Sequence, residues 1–455
     1  MAGKLTLDTL KKAAKNGEID TVLTVMVDMQ GRLMGKRMHV DFFMDSGFEE
    51  THSCNYLLAT DMDMNTVQGY QSTGWAKGYG DYALKPDLET LRLIPWLDGT
   101  ALVMCDVLDH HTHNLIPHAP RTILKHQVAR LESLGFKALM ASELEFFLFK
   151  ESYEEAHQKG YQNLTPVSSY NEDYHIFQTT KEEGVMRAIR NGLNGADIAV
   201  ENTKGEACAG QEEINVRYTN ALNMADHHAI IKNGCKEIAW AKGQSISFMA
   251  KWHDDAAGNS SHIHQSITSL DGKPLFYEAN AKYGMSNLMQ KYLAGLMHNA
   301  RDITYFLAPN INSYKRFSAE TFAPTKAIWS MDNRTAGYRI CGANSPAVRI
   351  ECRVGGADLN PYLAMAALIA AGIDGIENNR TLEPEFSGDA YVDDQARDIP
   401  QTLRDAVVAL DQSSILRRAM GDQVIDHYVH AGRWEQSEHD RQVTDWEINR
   451  GFERT

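Results

Sequence analysis

Arginine and glutamate alternate in the segment Arg349-Ile-Glu351-Cys-Arg353, which is followed by a Gly-Gly turn and an Asn-Pro-Tyr helix start. Residues two apart on a β-strand point to the same side, so two guanidinium groups and one carboxylate would share a face. Such a face suits a phosphorylated carboxylic acid held beside a metal ion. The alternative is a solvent-facing strand stabilised by cross-strand ion pairs.

Carboxylates occur in two further places with the spacing of metal ligands. Glu143 and Glu145 lie two apart in the apolar run SELEFF and would share one buried face, where two unpaired negative charges are costly. Mg²⁺ or Mn²⁺ would remove that cost, and a partly exposed edge strand is the alternative. Glu206 and Glu213 stand on either side of Gly210, whose turn would let them converge; a solvated acidic loop is the alternative.

Histidines and arginines complete the set. His262 and His264 lie two apart and would share a strand face, so that one binds a metal ion while the next reaches a nucleotide phosphate. Arg316 ends the segment NSYKR, and Arg334 and Arg339 follow it. Arginine forks bind carboxylate and phosphate bidentately, and the chain has no GxxxxGK[ST] or GxGxxG loop. Phosphate binding therefore falls to arginines and metal ions.

The composition of the 455 residues is ordinary for a globular protein large enough for two or more cores, with 43% hydrophobic and 23% charged residues. The net charge of −15 argues against nucleic acid as the main partner. No apolar run of 18 residues occurs, which predicts no membrane span. Six scattered cysteines without a C-x-x-C pair fit the reduced thiols of a cytoplasmic protein.

The residue pattern changes along the chain and predicts a domain boundary at residues 115/116. Residues 1–115 are expected to form a β-rich domain, and residues 116–455 an α+β or α/β catalytic domain. Strands are expected over 21–28, 35–40, 91–95, 101–107, 136–149, 213–217, 245–249, 262–269 and 347–354. Helices are expected over 120–134, 224–242, 286–300, 361–378 and 399–410.

Five motifs in one order resemble the glutamine synthetase superfamily, over about residues 20–375. They are SELEFF, E-x-x-x-GQ-x-E-x-N, H-x-H, NSYKR with DNR, and R-x-E-x-R followed by NPYLA. The resemblance implies an α+β fold, with an N-terminal β-grasp domain before a larger glutamine-synthetase-type catalytic domain. It also implies a homo-oligomer, a dodecamer of two stacked hexameric rings with active sites between subunits.

The resemblance further implies a role for each matching residue, with ATP as co-substrate and two to three Mg²⁺ or Mn²⁺ ions per site. The metal ligands would be Glu145, Glu206 and Glu213 for the first ion and Glu143, His262 and Glu351 for the second. L-Glutamate would be bound by Gly258, Arg316, Arg334 and Arg353. ATP would be bound by Glu201, His264, Ser266, Arg339 and Arg349. Arg334 and Arg339 would act in catalysis, by stabilising the phosphoryl group in transfer.

Three departures fall where ammonia-using members of the family bind and deprotonate ammonium. The D-G-S-S motif is absent around Asp63, Phe322 replaces a flap glutamate, and Ala257 replaces an asparagine. Losing two acidic groups and one amide disfavours a small hydrated cation, whereas Phe322 and Ala257 favour an amine that carries carbon. The amine pocket is therefore expected at Ala257, Phe322 and Asp63, with Asp63 or Glu320 as candidates for the base.

These departures resemble the γ-glutamyl-amine ligase branch of the family. The chain is predicted to phosphorylate the γ-carboxylate of L-glutamate with ATP and to condense it with a small organic amine, giving a γ-glutamylamide, ADP and phosphate. A monoamine is favoured over a polyamine because the slot is more apolar. One alternative is a glutamine synthetase that uses ammonia. Another is a non-catalytic member of the family, against which the six intact metal ligands argue.

Overall fold

A small β-sheet forms the first part of the chain, which a computed structural model describes over residues 3–393 and 396–455. Its strands are β1 Thr21–Val27, β2 Leu33–His39, β3 Thr51–Cys54, β4 Asp81–Pro86, β5 Arg92–Leu93 and β6 Thr100–Asp109. Their order is β2-β1-β6-β4-β3, with β5 beside β6. The central strands β1 and β6 are parallel while β2 and β4 are antiparallel to them. This mixed sheet is the expected β-grasp arrangement.

A larger sheet follows and carries most of the residues singled out in the sequence. Its strands are β7 Phe136–Phe149, β8 Val200–Gly205, β9 Gln211–Val216, β10 Thr219–Asn220, β11 Ser245–Ser247, β12 Ser261–Ser269, β13 Trp329–Met331, β14 Tyr338–Cys341 and β15 Arg349–Cys352. The order is β13-β14-β15-β12-β7-β9-β8, and β10 and β11 pair with β7. Antiparallel β7, β9, β12 and β15 thus lie side by side, which sets their side chains in rows across one face.

Helices pack against the larger sheet and against each other. They are α1 Leu7–Lys15, α2 Val40–Phe42, α3 Pro120–Ser133, α4 Tyr153–Gln158, α5 Ile176–Thr179, α6 Glu183–Gly195, α7 Ala221–Ala241, α8 Asn287–His298, α9 Ala300–Leu307, α10 Pro361–Glu377, α11 Leu403–Gln412, α12 Ser414–Met420, α13 Asp422–Asp440 and α14 Asp445–Gly451. Helix α10 is apolar on all sides and buried from Pro361 to Gly375, so it forms the centre of the helical layer. No described helix is long and apolar enough to cross a membrane.

The α+β fold class is confirmed, and so are most of the expected elements. The helix expected over 286–300 is wrong at its end, because the backbone at Asn299 breaks it into α8 and α9. The expected strand over 91–95 is reduced to the two residues of β5. Helix α6 and strand β8 were not expected. The domain boundary at 115/116 stays a prediction; it falls in the segment between β6 and α3.

Polar contacts join the β-grasp part to the larger part. The Asn360 amide donates hydrogen bonds to the carbonyl oxygens of Asp28 and Met29 at 3.0 and 3.1 Å. Buried Arg121 of α3 forms ion pairs with carboxylates of both parts, at 2.6 Å to Asp106 and 3.0 Å to Asp226. Arg121 and Asp226 are buried and Asp106 is partly buried, so their mutual pairing offsets the cost of removing them from water.

Candidate active site

Three carboxylates converge on β7 and β9, and together they are the carboxylate site: Glu145, Glu206 and Glu213. Antiparallel pairing sets Glu145 opposite Glu213, and Glu206 lies in the turn between β8 and β9. One carboxyl oxygen from each lies within 4.8 Å of the others. Burial, and then the charge of Glu206, raises the pKa of Glu145 to about 8. Burial and the charges of Glu143 and Glu145 raise the pKa of Glu213 to about 10.

A second group, the histidine site, consists of Glu143, His262 and Glu351. Strand pairing sets His262 of β12 opposite Glu143 of β7, and Glu351 comes from β15 on the other side of β12. The Nδ1 atom of His262 lies 2.8 Å from Glu143 Oε1 and 3.4 Å from Glu351 Oε1. Burial opposes the ionisation of Glu351, but His262 and Arg353 outweigh it and lower the pKa of this carboxyl to about 2.

Both sites have the donor chemistry of a divalent-cation site. Carboxylate oxygens and an imidazole suit Mg²⁺ or Mn²⁺. The carboxylate site holds like charges together at a cost that a bound cation would remove, and its ion pair between Lys204 and Glu206 offsets only part of that cost. In the histidine site, the Nε2 atom of His262 is buried without a hydrogen-bond partner. The residues therefore fit the two ions expected there.

Guanidinium groups flank the histidine site. Arg339 Nη1 lies 2.8 Å from Glu351 Oε2, and Arg353 Nη1 lies 2.6 Å from Glu351 Oε1. Arg349 Nε donates to His264 Nδ1 at 3.2 Å, and His264 is the cross-strand partner of Glu351. Arg349, Glu351 and Arg353 therefore share one face, as their spacing predicted, and this face is turned towards the site instead of solvent.

Arg316 is held in the interior beside the carboxylate site. Its Nη2 group donates to the carbonyl oxygens of Val354 and Gly355 at 2.5 and 2.8 Å. The Nε atoms of Arg316 and Arg353 are buried and have no hydrogen-bond partner among the described residues. Two buried, unpartnered guanidinium N–H groups are suited to an anionic ligand such as a carboxylate.

Gly258 gives Arg316 its space. A Cβ atom at this position would lie 2.3 Å from Arg316 Cγ and 2.8 Å from its Cδ. Any side chain here would therefore displace the arginine from its carbonyl partners. The Gly258 carbonyl accepts a hydrogen bond from Gln211 Nε2 at 3.0 Å. The same Nε2 group donates to Glu145 Oε2 at 3.4 Å. The predicted glutamate residues Gly258, Arg316 and Arg353 are thus next to the carboxylate site.

The residues predicted to bind ATP line one open cleft beside the histidine site. These residues are Glu201, His264, Ser266, Arg339 and Arg349. The cleft also has apolar walls, among them Tyr218 and Ile340, which suit the flat ring of a nucleotide base. Arg334 is not in this group: it is exposed in the turn between β13 and β14, and the described residues include no hydrogen-bond or ion-pair partner for it.

The residues predicted for the amine pocket are only partly brought together. Ala257 precedes Gly258, and the carbonyl of Phe322 accepts a hydrogen bond from Arg353 Nη2 at 3.4 Å. The Phe322 side chain is 56% exposed, on a loop that also carries exposed Glu320. Among the described residues, no hydrogen bond or ion pair joins Asp63 to Ala257 or Phe322; Asp63 is exposed, and its charge acts on Glu435 of α13.

Sequence reasoning missed one contact and one group of residues near the site. Tyr391 donates a hydrogen bond from its hydroxyl to the Ala323 carbonyl at 3.1 Å and so anchors the loop of Phe322. The family resemblance places Tyr391 near the tyrosine that some bacterial members adenylylate, but it gives no sign of this contact. A third acidic group, Glu172, Glu182 and Glu212, is buried behind β9. Its only sequence signal was Glu212 next to Glu213, and the other two lie 40 and 30 residues upstream of Glu212.

Comparison with known proteins assigns this geometry to a family. The sequence model of glutamine synthetase, catalytic domain, matches residues 117–451. The chain belongs to the glutamine synthetase family. This member is 44% identical over 451 residues to gamma-glutamylethanolamide synthetase GlnA4 of Streptomyces coelicolor, with 99% of this chain and 96% of that relative covered. It is 34% identical to the glutamate–isopropylamine ligase of a Pseudomonas species, with 95% of each chain covered.

A solved structure has the same fold as this family member. GmaS without ligand superimposes with a TM-score of 0.86 at 27% identity, and the match covers 98% of this chain and 100% of GmaS. The likeness therefore extends through both sheets and the helical layer. The expected resemblance to the glutamine synthetase superfamily is confirmed.

Proposed function

We propose that this glutamine synthetase family member is an ATP-dependent glutamate–amine ligase. It phosphorylates the γ-carboxylate of L-glutamate and condenses the product with an organic amine, giving a γ-glutamylamide, ADP and phosphate. The observation that carries the proposal is the row of two metal-ligand groups and three arginines on one sheet face, beside a cleft and next to Ala257 and Phe322. A cytoplasmic enzyme with reduced thiols and access to ATP fits this reaction.

Each residue has a task in this reaction. Arg316 and Arg353 bind the carboxylates of glutamate through their free N–H groups, and Gly258 keeps Arg316 in place. Arg339 lies beside Glu351 and stabilises negative charge on the transferring phosphoryl group. Arg334 is exposed and must turn inward to act on the same group.

The two metal-ligand groups would be occupied during turnover. The carboxylate site and the histidine site would each hold Mg²⁺ or Mn²⁺, and the ions would neutralise phosphate charge and polarise the transferred group. Enzymes of this family depend on ATP and a divalent metal, which supports this role. The choice between Mg²⁺ and Mn²⁺, and the presence of a third ion, are part of the proposal.

The amine slot favours a carbon-bearing amine over ammonium. Ala257 and Phe322 offer no charge to a small hydrated cation, whose desolvation is costly without one. The names of two relatives specify an ethanolamide and isopropylamine as their amine parts, which supports a small monoamine or alkanolamine here. The alternative, a glutamine synthetase that uses ammonia, would need acidic groups in this slot.

The decisive experiment measures phosphate release from ATP by purified protein with Mg²⁺ and glutamate across a panel of amines. The panel contains ammonium, methylamine, isopropylamine, ethanolamine, aniline and putrescine. We expect kcat/KM for an organic monoamine to exceed that for ammonium at least about tenfold, a difference of about 1.4 kcal/mol. A preference for ammonium would make the protein a glutamine synthetase, and no metal-dependent turnover with any amine would make it a non-catalytic member.

A pair of substitutions tests the slot itself. Ala257→Asn with Phe322→Glu restores the amide and the acid that ammonia-using members have, so the ratio of organic amine to ammonium turnover should fall about tenfold. Phe42→Glu is the matched control, because the Phe42 side chain is also 56% exposed. An unchanged ratio in the double variant would place amine selection elsewhere.

We further propose that the active enzyme is a dodecamer of two stacked hexameric rings, in which Asp63 completes the amine slot of a neighbouring subunit. The support is that Asp63 is exposed and that its charge acts on Glu435 of α13, while no described hydrogen bond or ion pair joins it to Ala257 or Phe322 in its own chain. Mixed oligomers of an Asp63→Asn and a Glu145→Gln variant should regain activity that neither parent has, because some sites would receive two intact halves. Mixtures no more active than their parents would contradict the shared site.

A further inference from the structure

A third group of carboxylates, the rear cluster, lies behind the carboxylate site: Glu172, Glu182 and Glu212. Alternation along β9 turns Glu212 to the face opposite Gln211 and Glu213. Glu172 precedes α5, and Glu182 is the residue before the first turn of α6. One carboxyl oxygen from each of the three lies within 4.8 Å of the others. Residues from three separate elements thus meet at one point.

The rear cluster is more completely removed from water than either predicted metal site. Glu172, Glu182 and Glu212 are 0%, 4% and 1% exposed. By strict hydrogen-bond geometry, both carboxyl oxygens of Glu172, both of Glu182 and one of Glu212 are buried without a partner, although the Glu182 carboxyl is close enough to those of Glu172 and Glu212 to share a proton with them. Unpartnered carboxylates at this depth are costly, and a native fold keeps them only where something compensates.

Nearby protein cations do not compensate the rear cluster. Arg190 is close enough for its charge to act on Glu212, but its guanidinium binds Glu183 and the hydroxyl of Thr203. Lys204 forms its ion pairs with Asp173 and Glu206. Within residues 3–393 and 396–455, no lysine, arginine or histidine forms an ion pair with any of the three carboxylates.

We propose that the rear cluster binds one hard divalent cation, Mg²⁺ or Mn²⁺, separate from the ions of the catalytic face. Two ligands on opposite sides of such an ion are about 4.2 Å apart, twice the Mg–O distance of about 2.1 Å. The three carboxyl oxygens, one from each residue of the rear cluster, lie no more than 4.8 Å apart. Small side-chain movements would therefore bring them to distances that suit such an ion. The competing explanation is protonation, since burial and the charge of Glu182 raise the pKa of Glu172 to about 8.

An ion here would fasten the segment before α6 to the back of β9. The segment that carries Glu172 already packs closely against Gly205, the last residue of β8. A Cβ atom on Gly205 would lie 2.6 Å from the Glu172 carbonyl oxygen and 2.8 Å from the Glu172 Cγ atom. Strand β9 carries Glu213 on its other face, and Glu206 leads into it. The rear ion would therefore have a structural task, holding in place the strand from which the carboxylate site is built.

Counting bound Mn²⁺ tests the proposal without substrate. Full-length protein is stripped of metal and titrated with Mn²⁺, and free Mn²⁺ is measured by electron paramagnetic resonance in the absence of glutamate, ATP and amine. We expect the double variant Glu182→Gln with Glu212→Gln to bind one ion per chain fewer than the wild type. The matched variant Glu143→Gln with Glu145→Gln, altered on the catalytic face, should retain that ion. Equal counts in the wild type and the Glu182 and Glu212 variant would overturn the proposal and favour protonation.

Anomalous X-ray scattering from wild-type crystals soaked in Mn²⁺ gives a second answer that needs no variant. A peak among Glu172, Glu182 and Glu212 supports the rear ion. Peaks at the carboxylate and histidine sites with none at the rear cluster overturn it. Because neither measurement involves turnover, the proposed ligase activity can fail while the rear ion stands, and the reverse.

Discussion

Replacing Gly258 with alanine perturbs the proposed glutamate site by a single methyl group. The new Cβ atom would lie 2.3 Å from Arg316 Cγ and 2.9 Å from the Ala250 carbonyl oxygen. Carbon atoms pack at about 3.5–4.0 Å, so the root of the arginine side chain must move by about 1 Å. That movement cannot be absorbed at a flexible tip, because the guanidinium is fixed by the carbonyl oxygens of Val354 and Gly355.

The size of the effect follows from these contacts. Overpacking of a buried site costs about 1–3 kcal/mol, and loss of one hydrogen bond to a charged group costs a similar amount, about 1.5–3 kcal/mol. If the substitution weakens binding of the transition state by about 1–3 kcal/mol, kcat/KM for glutamate falls about 5- to 150-fold. The KM for ATP should change less than about twofold, because neither Gly258 nor Arg316 lines the cleft of the predicted ATP residues.

Steady-state kinetics with saturating ATP and the preferred amine measures this change, with glutamate varied. Gly184→Ala is the control: a Cβ atom there meets no atom within 4 Å, and alanine favours helix α6. Circular dichroism and the melting temperature establish that both variants are folded. A folded Gly258→Ala variant whose kcat/KM for glutamate stays within about twofold of the wild type would refute the assignment of Arg316 to glutamate binding.

Three further predictions concern metal, nucleotide and pH. Mg²⁺ added to metal-free protein should raise the free energy of unfolding by about 2.7 kcal/mol at a hundred times its Kd; an unchanged melting temperature would argue against ion binding. Arg349→Lys loses the hydrogen bond to His264 and should raise the KM for ATP about tenfold with the KM for glutamate unchanged. Burial lowers the pKa of His118 to about 4, so its neutral form stabilises the fold above about pH 6.5, and this contribution, on the order of 3 kcal/mol, is lost as the pH falls towards 4. Denaturant titrations at several pH values give the free energy of unfolding as a function of pH. Below about pH 6.5 this free energy should fall less steeply with decreasing pH for His118→Gln than for the wild type.

The spacing of residues within single strands determined which side chains share a face. Glu143 with Glu145, and Arg349 with Glu351 and Arg353, follow from the two-residue repeat of a strand, which is a local property. The helix start at Pro120 and the Asn360 cap before Pro361 were likewise readable from local signals. The order of five motifs identified the family, and the family in turn implied the ligand sets and the α+β fold.

Neighbouring strands had to be brought into register before those faces became a site. The pairing of β12 with β7 sets His262 opposite Glu143, and that of β7 with β9 sets Glu145 opposite Glu213. A shift of one residue would turn every one of these side chains to the other face of the sheet. Register depends on burial across the whole domain, so no window of sequence contains it.

Tertiary structure alone decided three things about this protein. It gathered Glu172 and Glu182 with Glu212 across 40 residues of chain into the buried rear cluster. It left Asp63 exposed near Glu435 of α13, and it used Tyr391 to anchor the Phe322 loop. Each is a contact between distant segments, selected by packing and by the cost of burying polar groups, and neither of these acts over the few residues that a sequence motif spans.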